Sequence, residues 1–202
     1  MAVLILLRHG QSTWNQENRF TGTVDVDLSM QGELEASRAA ALIKPYPIDL
    51  AYTSILKRAI HTLEIILSKN NLPIPVIQDS ALNERDYGDL QGLDKTETAQ
   101  RYGSEQVQLW RRAYDVAPPG GESLKDTFNR VIPFYKMEIE PKLKEGLTIL
   151  IVAHGNSLRA LMMHLDGITA SEIEEVNIAT CIPRIYTFTP KLELTRVEDL
   201  PA

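Results

Sequence analysis

Apolar runs of strand length alternate with helically patterned stretches along this chain, and that alternation predicts its elements. Val3–Leu7 is aliphatic and β-branched with no polar alternation, as suits a strand covered on both faces. From Ser29 to Lys44 the period becomes helical, with Ser29 as N-cap and Pro45 as stop. Ile48–Thr53 reads as a second strand, after which Ile55, Ala59, Leu63 and Ile66 fall on one helix face. Pro75–Ile77 is a short strand leading into a polar, glycine-punctuated loop, Leu82–Gln91. Asp94, with Glu97 three residues on, resembles a capping box that opens a short helix ending at Gly103. A further helix is expected over Gln106 to Tyr114, then a loop at Pro118-Pro119-Gly120-Gly121. Leu124, Phe128, Val131, Tyr135 and Ile139 form an apolar helix stripe with a kink expected at Pro133. Leu147–Ala153 is the strongest central strand, Leu158–Leu165 follows as a helix, and Ile182–Thr189 reads as a late strand. The segment after Pro190 gives no clear pattern, and a mobile tail is one expectation for it.

This order implies an α/β fold: three layers, α/β/α, around a mostly parallel central sheet. With 202 residues and 44% hydrophobic positions, one domain spanning 1–202 can bury a substantial core. The apolar start at Met1–Leu7 is too short for a signal-peptide core, lacks a basic lead and runs into Arg8-His9. No later run reaches membrane-spanning length. The single cysteine, Cys181, cannot form an internal disulfide and is compatible with a reducing cytosol, so a cytoplasmic protein is expected. A formal net charge of −6 argues against nucleic acid as a partner, yet leaves room for a small anion in a locally cationic cleft.

Candidate chemistry comes from two strands that end alike. Leu6-Leu7-Arg8-His9-Gly10-Gln11-Ser12 and Ile151-Val152-Ala153-His154-Gly155-Asn156-Ser157 each run apolar strand, His-Gly, amide, Ser. Parallel strands bring their carboxyl ends to one sheet edge, so two distant histidines can meet there. Each glycine would let a ligand approach the backbone, and a helix start after His154 would offer free N–H groups to an anion. One strand-end histidine is usually a hydrogen-bonded structural residue; two in matched contexts favour a site. His61 and His164 lack that context and read as structural. Arg8 adjoins His9, and Arg58 opens the helix after the second strand, at the same edge. Arg111 and Arg112 are consecutive, so they cannot share one helix face, and such a pair is commonly solvated. Guanidinium groups are nonetheless the expected clamps for phosphate and carboxylate oxygens. Glu84, in a loop just past a strand, could exchange a proton with a leaving oxygen. The chain has no HExxH, cysteine pair, GxxxxGK[ST] loop or Gly-x-Ser-x-Gly elbow, so zinc chemistry, nucleotide-dependent kinases and serine hydrolases are disfavoured.

Arg8-His9-Gly10 with a distant His154 resembles the histidine phosphatase superfamily. Within it the chain is similar to the 2,3-bisphosphoglycerate-dependent phosphoglycerate mutases. Segments carrying this likeness run from the first strand past residue 160: Asn18-Arg19-Phe20-Thr21-Gly22, Leu82-Asn83-Glu84-Arg85, Gly88-Asp89-Leu90-Gln91-Gly92-Leu93-Asp94-Lys95, Trp110-Arg111-Arg112 and Ala153–Ala160. The resemblance implies a phosphoglycerate mutase-like fold, with His9 as the phosphorylated nucleophile. It implies Arg8, Arg58 and His154 around the moving phosphoryl group and Glu84 as proton donor and acceptor. Ser12, Asn15, Thr21, Gly22, Tyr87, Lys95, Arg111, Arg112, Gly155 and Asn156 would line the substrate site, with Lys95 and the arginine pair toward the carboxylate.

The implied reaction interconverts 3- and 2-phosphoglycerate, primed by 2,3-bisphosphoglycerate and without a metal. Small phosphoglycerates are the expected partners, not nucleic acid or membrane, and a homo-oligomer stays open. Gln11, Thr23 and Cys181 stand where the family commonly has Glu, Trp and Gly. The loop near Pro119 is shorter than in many members, and a reduced C-terminal tail is expected. These departures keep in view a phosphatase of the same superfamily; a catalytically silent binding protein fits the retained histidines, Glu84 and arginines poorly.

Overall fold

The computed structural model describes residues 1–201. Its six strands are β1 (Ala2–Arg8), β2 (Leu50–Thr53), β3 (Val76–Gln78), β4 (Thr148–Ala153), β5 (Arg184–Phe188) and β6 (Leu194–Asp199). They form one sheet in the order β3-β2-β4-β1-β5-β6. The pairings β3 with β2, β2 with β4 and β4 with β1 are parallel; β5 and β6 extend the sheet as antiparallel strands. The sheet is thus mostly parallel, as the strand–helix alternation requires.

Eight α-helices surround it: α1 (Thr13–Gln16), α2 (Met30–Ile43), α3 (Lys57–Asn70), α4 (Lys95–Tyr102), α5 (Ser104–Arg112), α6 (Leu124–Phe134), α7 (Glu140–Lys144) and α8 (Gly155–Asp166). Side-chain alternation along the central strands divides the core in two. Ile149, Ile151 and Ala153 of β4, with Leu4 and Leu6 of β1, pack against α6, α7 and α8. Leu150 and Val152, with Ile5 and Leu7, pack against the alanine-rich face of α2 and against Ala59, Leu63 and Ile66 of α3. Every β4 residue is buried, which is why that strand reads as an unbroken apolar run. A third, smaller cluster of Phe20, Leu90, Val107 and Trp110 fixes α5 beside the sheet's carboxyl edge.

Several boundaries differ from the pattern-based expectation. Leu56 caps α3, so Ile55 lies in the preceding turn and is half exposed instead of joining the buried stripe. Asp94 accepts from the N–H groups of Thr96 and Glu97 at 2.7 and 2.9 Å, but Glu97 does not return a bond, so only half of the capping box forms. The helix expected over Gln106–Tyr114 begins and ends two residues earlier, as α5. The loop Leu82–Gln91 holds one full 3₁₀ turn, Gly88–Leu90, and the end of another, Ser80–Leu82.

In place of a simple kink, a π-helical turn, Tyr135–Ile139, joins α6 to α7. Pro133 and Pro141 flank it, each lacking an N–H for a continuous α-ladder. Val131, Tyr135 and Ile139 stay buried through the widened turn. α8 begins at Gly155, directly after His154. The segment beyond Pro190 supplies β6, a largely exposed edge strand whose apolar residues, Leu194 and Val197, do not alternate and so do not betray it.

Candidate active site

β1 and β4 are neighbours in register, Arg8 opposite Ala153, so the residues that follow each strand lie side by side. The rings of His9 and His154 are 4.9 Å apart between centroids. Both are buried. His9 Nδ1 lies 2.6 Å from the Gly10 carbonyl. A carbonyl only accepts, so Nδ1 carries the proton and Nε2 keeps its lone pair. Burial, then the nearby charges of Arg58 and Arg8, hold His9 well below the usual imidazole range, against the opposing effect of the Gly10 bond. Burial and Arg58 do the same for His154, whose Nε2 is 2.7 Å from Ser54 Oγ at the end of β2. Two neutral imidazoles therefore stand together at neutral pH.

A cavity of about 140 Å³ opens beside them. Seven cationic side chains line it: Arg8, Arg19, Arg58, Lys95, Arg111, Arg112 and Arg159. Among the described residues, Glu84 is its one carboxylate. Glu84 Oε1 accepts from the backbone N–H groups of Arg85 at 2.7 Å and Asn156 at 3.1 Å, which fixes the carboxyl group beside the α8 start. One N–H at that helix start thus holds Glu84 and is not free for an incoming anion. Arg58 is buried and spans the Gly22 and Val24 carbonyls at 2.7 and 2.9 Å. Burial pushes its guanidinium down to about 10. Arg8 is anchored by the Ile178 carbonyl at 2.7 Å.

The rest of the anticipated set is placed as follows. Asn15, Thr21, Gly22, Tyr87, Gly155 and Asn156 line the same cavity as Arg8, Arg58, Glu84, Lys95, Arg111 and Arg112. The consecutive Arg111 and Arg112 both reach it, because they end α5 and are not confined to one helix face. Lys95 is lowered by burial and by the charge of Arg111. Burial raises Tyr87, but the charge of the Arg85 guanidinium, 4.6 Å above its ring, together with hydrogen bonds from Arg85 and Asn156, leaves it lowered. Ser12 does not line the cavity: it is the buried N-cap of α1, exchanging bonds with Asn15 at 3.1 and 3.2 Å. Gly10 serves packing and not ligand approach, since a Cβ there would lie 2.3 Å from the Gly32 carbonyl oxygen of α2.

Sequence reasoning passed over Arg19, Arg159, Ser54 and the Val176–Ile178 wall. Arg159 had a signal: it follows Asn156 by three residues, the spacing that shares a helix face. Asn177, in a loop after a 3₁₀ turn, had none. His61 bonds Asp27 at 2.9 Å and His164 packs on Tyr135, both away from this cavity.

A strand-end histidine pair, a cationic cavity and one held carboxylate on a three-layer sheet define a phosphoryl-handling α/β protein. The profile of the histidine phosphatase superfamily (branch 1) matches residues 4–198, and the chain belongs to that superfamily. Within it the chain groups with proteins named 2,3-bisphosphoglycerate-dependent phosphoglycerate mutase. One from Cytophaga hutchinsonii is 56% identical over 98% of this chain and 92% of its own length. Another from Rhizobium rhizogenes is 52% identical over 91% and 88%. Among solved structures, Bacillus stearothermophilus YhfR superposes with a TM-score of 0.85 at 27% identity, covering 96% of this chain and 95% of its own. A protein titled "Mycobacterial hydrolase 1" gives 0.84 at 25%, covering 98% and 97%.

Proposed function

We infer that the chain interconverts 3-phosphoglycerate and 2-phosphoglycerate through a phosphohistidine at His9, primed by 2,3-bisphosphoglycerate. The observation that carries this reading is a cavity lined by more cations than one phosphoryl group needs. Arg8 and Arg58 act on His9, and Lys95, Arg111 and Arg112 add a further set of cations to the same wall, Lys95 within reach of the charges of Arg111 and Arg8. Hydrolysis of a simple phosphate ester needs the first group alone. A second group suits a substrate with another anion, the carboxylate of a glycerate or the second phosphate of the primer.

The geometry supports the following chemistry. On the phosphorylated enzyme, a glycerate hydroxyl attacks the phosphorus, its proton passes to Glu84, and the P–N bond breaks to leave neutral His9. The bisphosphate then turns over in the cavity. His9 Nε2 attacks the other phosphoryl group, and Glu84 returns the proton to the departing oxygen. Arg8, Arg58 and His154 offset charge on the non-bridging oxygens. Asn15, Thr21, Gly22, Tyr87, Gly155 and Asn156 position the glycerate, with Ser12 supporting Asn15. That the walls draw on residues from Arg8 to Ile178 supports reading 1–202 as one domain. A reduced, buried Cys181 and a polar small-molecule substrate suit the cytoplasm.

Assaying 3-phosphoglycerate with and without catalytic 2,3-bisphosphoglycerate, in the presence of a chelator, tests this. Formation of 2-phosphoglycerate that needs the bisphosphate and ignores the chelator is expected. Release of inorganic phosphate in place of 2-phosphoglycerate would make the protein a phosphatase.

A further inference from the structure

The last two side chains of α5 reach the cavity, and this creates an electrostatic problem. A helix ends with unpaired carbonyls and about half a negative charge. The carboxyl end of α5 therefore sets a negative pole at the base of the arginines that would receive an anion. Two buried guanidinium groups cover it. Arg85 Nη2 donates to the carbonyls of Trp110 at 2.8 Å and Arg111 at 3.1 Å. Arg159 Nη2 donates to the carbonyl of Arg112 at 3.0 Å and also to that of Ile173. All three final carbonyls of the helix are thus taken by cations. Their other hydrogen bonds go to uncharged groups, Arg85 to the Tyr87 hydroxyl at 3.0 Å and Arg159 Nη1 to Asn156 Oδ1 at 3.0 Å, while Arg85 Nε and Nη1 and Arg159 Nε are buried without a partner among the described residues. Their charge is not cancelled by a bound carboxylate.

Arg159 has a further connection. Asn156, whose side chain it holds, donates its backbone N–H to Glu84. One guanidinium therefore ties the carboxylate beside the histidines to the end of α5 that presents Arg111 and Arg112.

We propose that Arg85 and Arg159 are positioning residues that neutralise and fix the carboxyl end of α5, and thereby set the preference for substrates bearing a second anion. This deepens the reading above and rests on it. The prediction concerns a ratio of affinities, because a damaged fold would weaken all anions alike.

The test titrates the unphosphorylated protein calorimetrically with 3-phosphoglycerate and with inorganic phosphate, comparing wild type with Arg159→Gln, Arg159→Lys and Arg85→Gln. Wild type should prefer 3-phosphoglycerate. In Arg159→Gln, and likewise in Arg85→Gln, whose side chain does not line the cavity, that preference should fall about tenfold, the scale of one lost charge-assisted interaction. A fall confined to Arg159→Gln would mark direct contact of that cavity-lining cation with the ligand and overturn the proposal. Arg159→Lys keeps the charge but not the forked bonds, and should lose roughly threefold. Equal weakening of both ligands, or an unchanged ratio, overturns the proposal. Should Arg159→Gln fail to fold, the Arg159→Lys ratio decides by the same criterion. Wild-type conversion of 3- to 2-phosphoglycerate is measured alongside. Its absence removes the mutase reading, while the affinity ratio still judges the role of Arg159.

Discussion

His9, the proposed nucleophile, is buried among cations and stays neutral, and the same fact makes it a liability below neutral pH. Its native pKa lies below the unfolded value of about 6.5. Below pH 6.5 the unfolded chain therefore binds more protons than the folded one, and stability falls as pH falls. His154 and His164 are lowered in the same direction. The urea midpoint should accordingly drop between pH 7.5 and 5.5, above the range where carboxylates titrate. His9→Asn should flatten that drop by up to one proton's slope, about 1.4 kcal/mol per pH unit. An equal drop in the variant would mean that His9 is protonated in the native state. Glu84, held by two backbone N–H groups, is the proton carrier proposed here. Glu84→Gln should slow turnover of phosphoglycerate by roughly 10²–10⁴-fold, and near-wild-type turnover in a coupled assay would remove that role. His9 and His154 were legible in the sequence because each directly follows a strand, whereas Glu84, separated from β3 by a 3₁₀ turn, stood out chiefly through the family resemblance of its segment. Arg85 was not: nothing local distinguishes an arginine that ends up fully buried from one in solvent, since burial is decided by α5 arriving from elsewhere.

Elements, more than single residues, explain why the site is where it is. The strand-to-helix turn after β4 ends in Gly155, whose missing side chain leaves a gap bounded by Glu84 and Arg8. A Cβ there would lie 3.6 Å from Glu84 Oε2 and 3.9 Å from the Arg8 Cζ, ordinary contact distances. Gly155 also occupies the first turn of α8, where alanine is the better helix former by up to about 1 kcal/mol. Gly155→Ala should therefore fold at least as stably as wild type while losing mutase activity tenfold or more, because the methyl group occupies substrate space. Thermal melting and steady-state kinetics on the same sample would check this, and full activity would show that the gap is not used. The order of elements was readable because fully buried strands stay apolar on both faces while helices keep their 3.6-residue period. Two kinds of element escaped that reading. β6 is a largely exposed edge strand whose apolar residues do not alternate, and the π turn between α6 and α7 preserves the helical stripe that would otherwise have revealed a break.

For the molecule as a whole, net charge and local charge point in opposite directions. The chain carries −6 overall, yet seven of its cations face one small cavity whose only carboxylate among the described residues is Glu84. A phosphoglycerate approaching from solvent meets a repulsive far field and an attractive near one. Salt screens the first over about 10 Å at 0.1 M, and screens enclosed contacts much less. Which field governs encounter can be read from the ionic-strength dependence of KM. If the cationic mouth dominates, KM for 3-phosphoglycerate should rise roughly threefold or more from 0.02 to 0.3 M salt, as focusing by a charged cleft is weakened. The turnover number should change less than about twofold, because phosphoryl transfer takes place against groups already shielded from ions. A KM that falls with salt would mean that the acidic surface controls approach, and that the arginine-lined cavity acts only after the substrate has entered it.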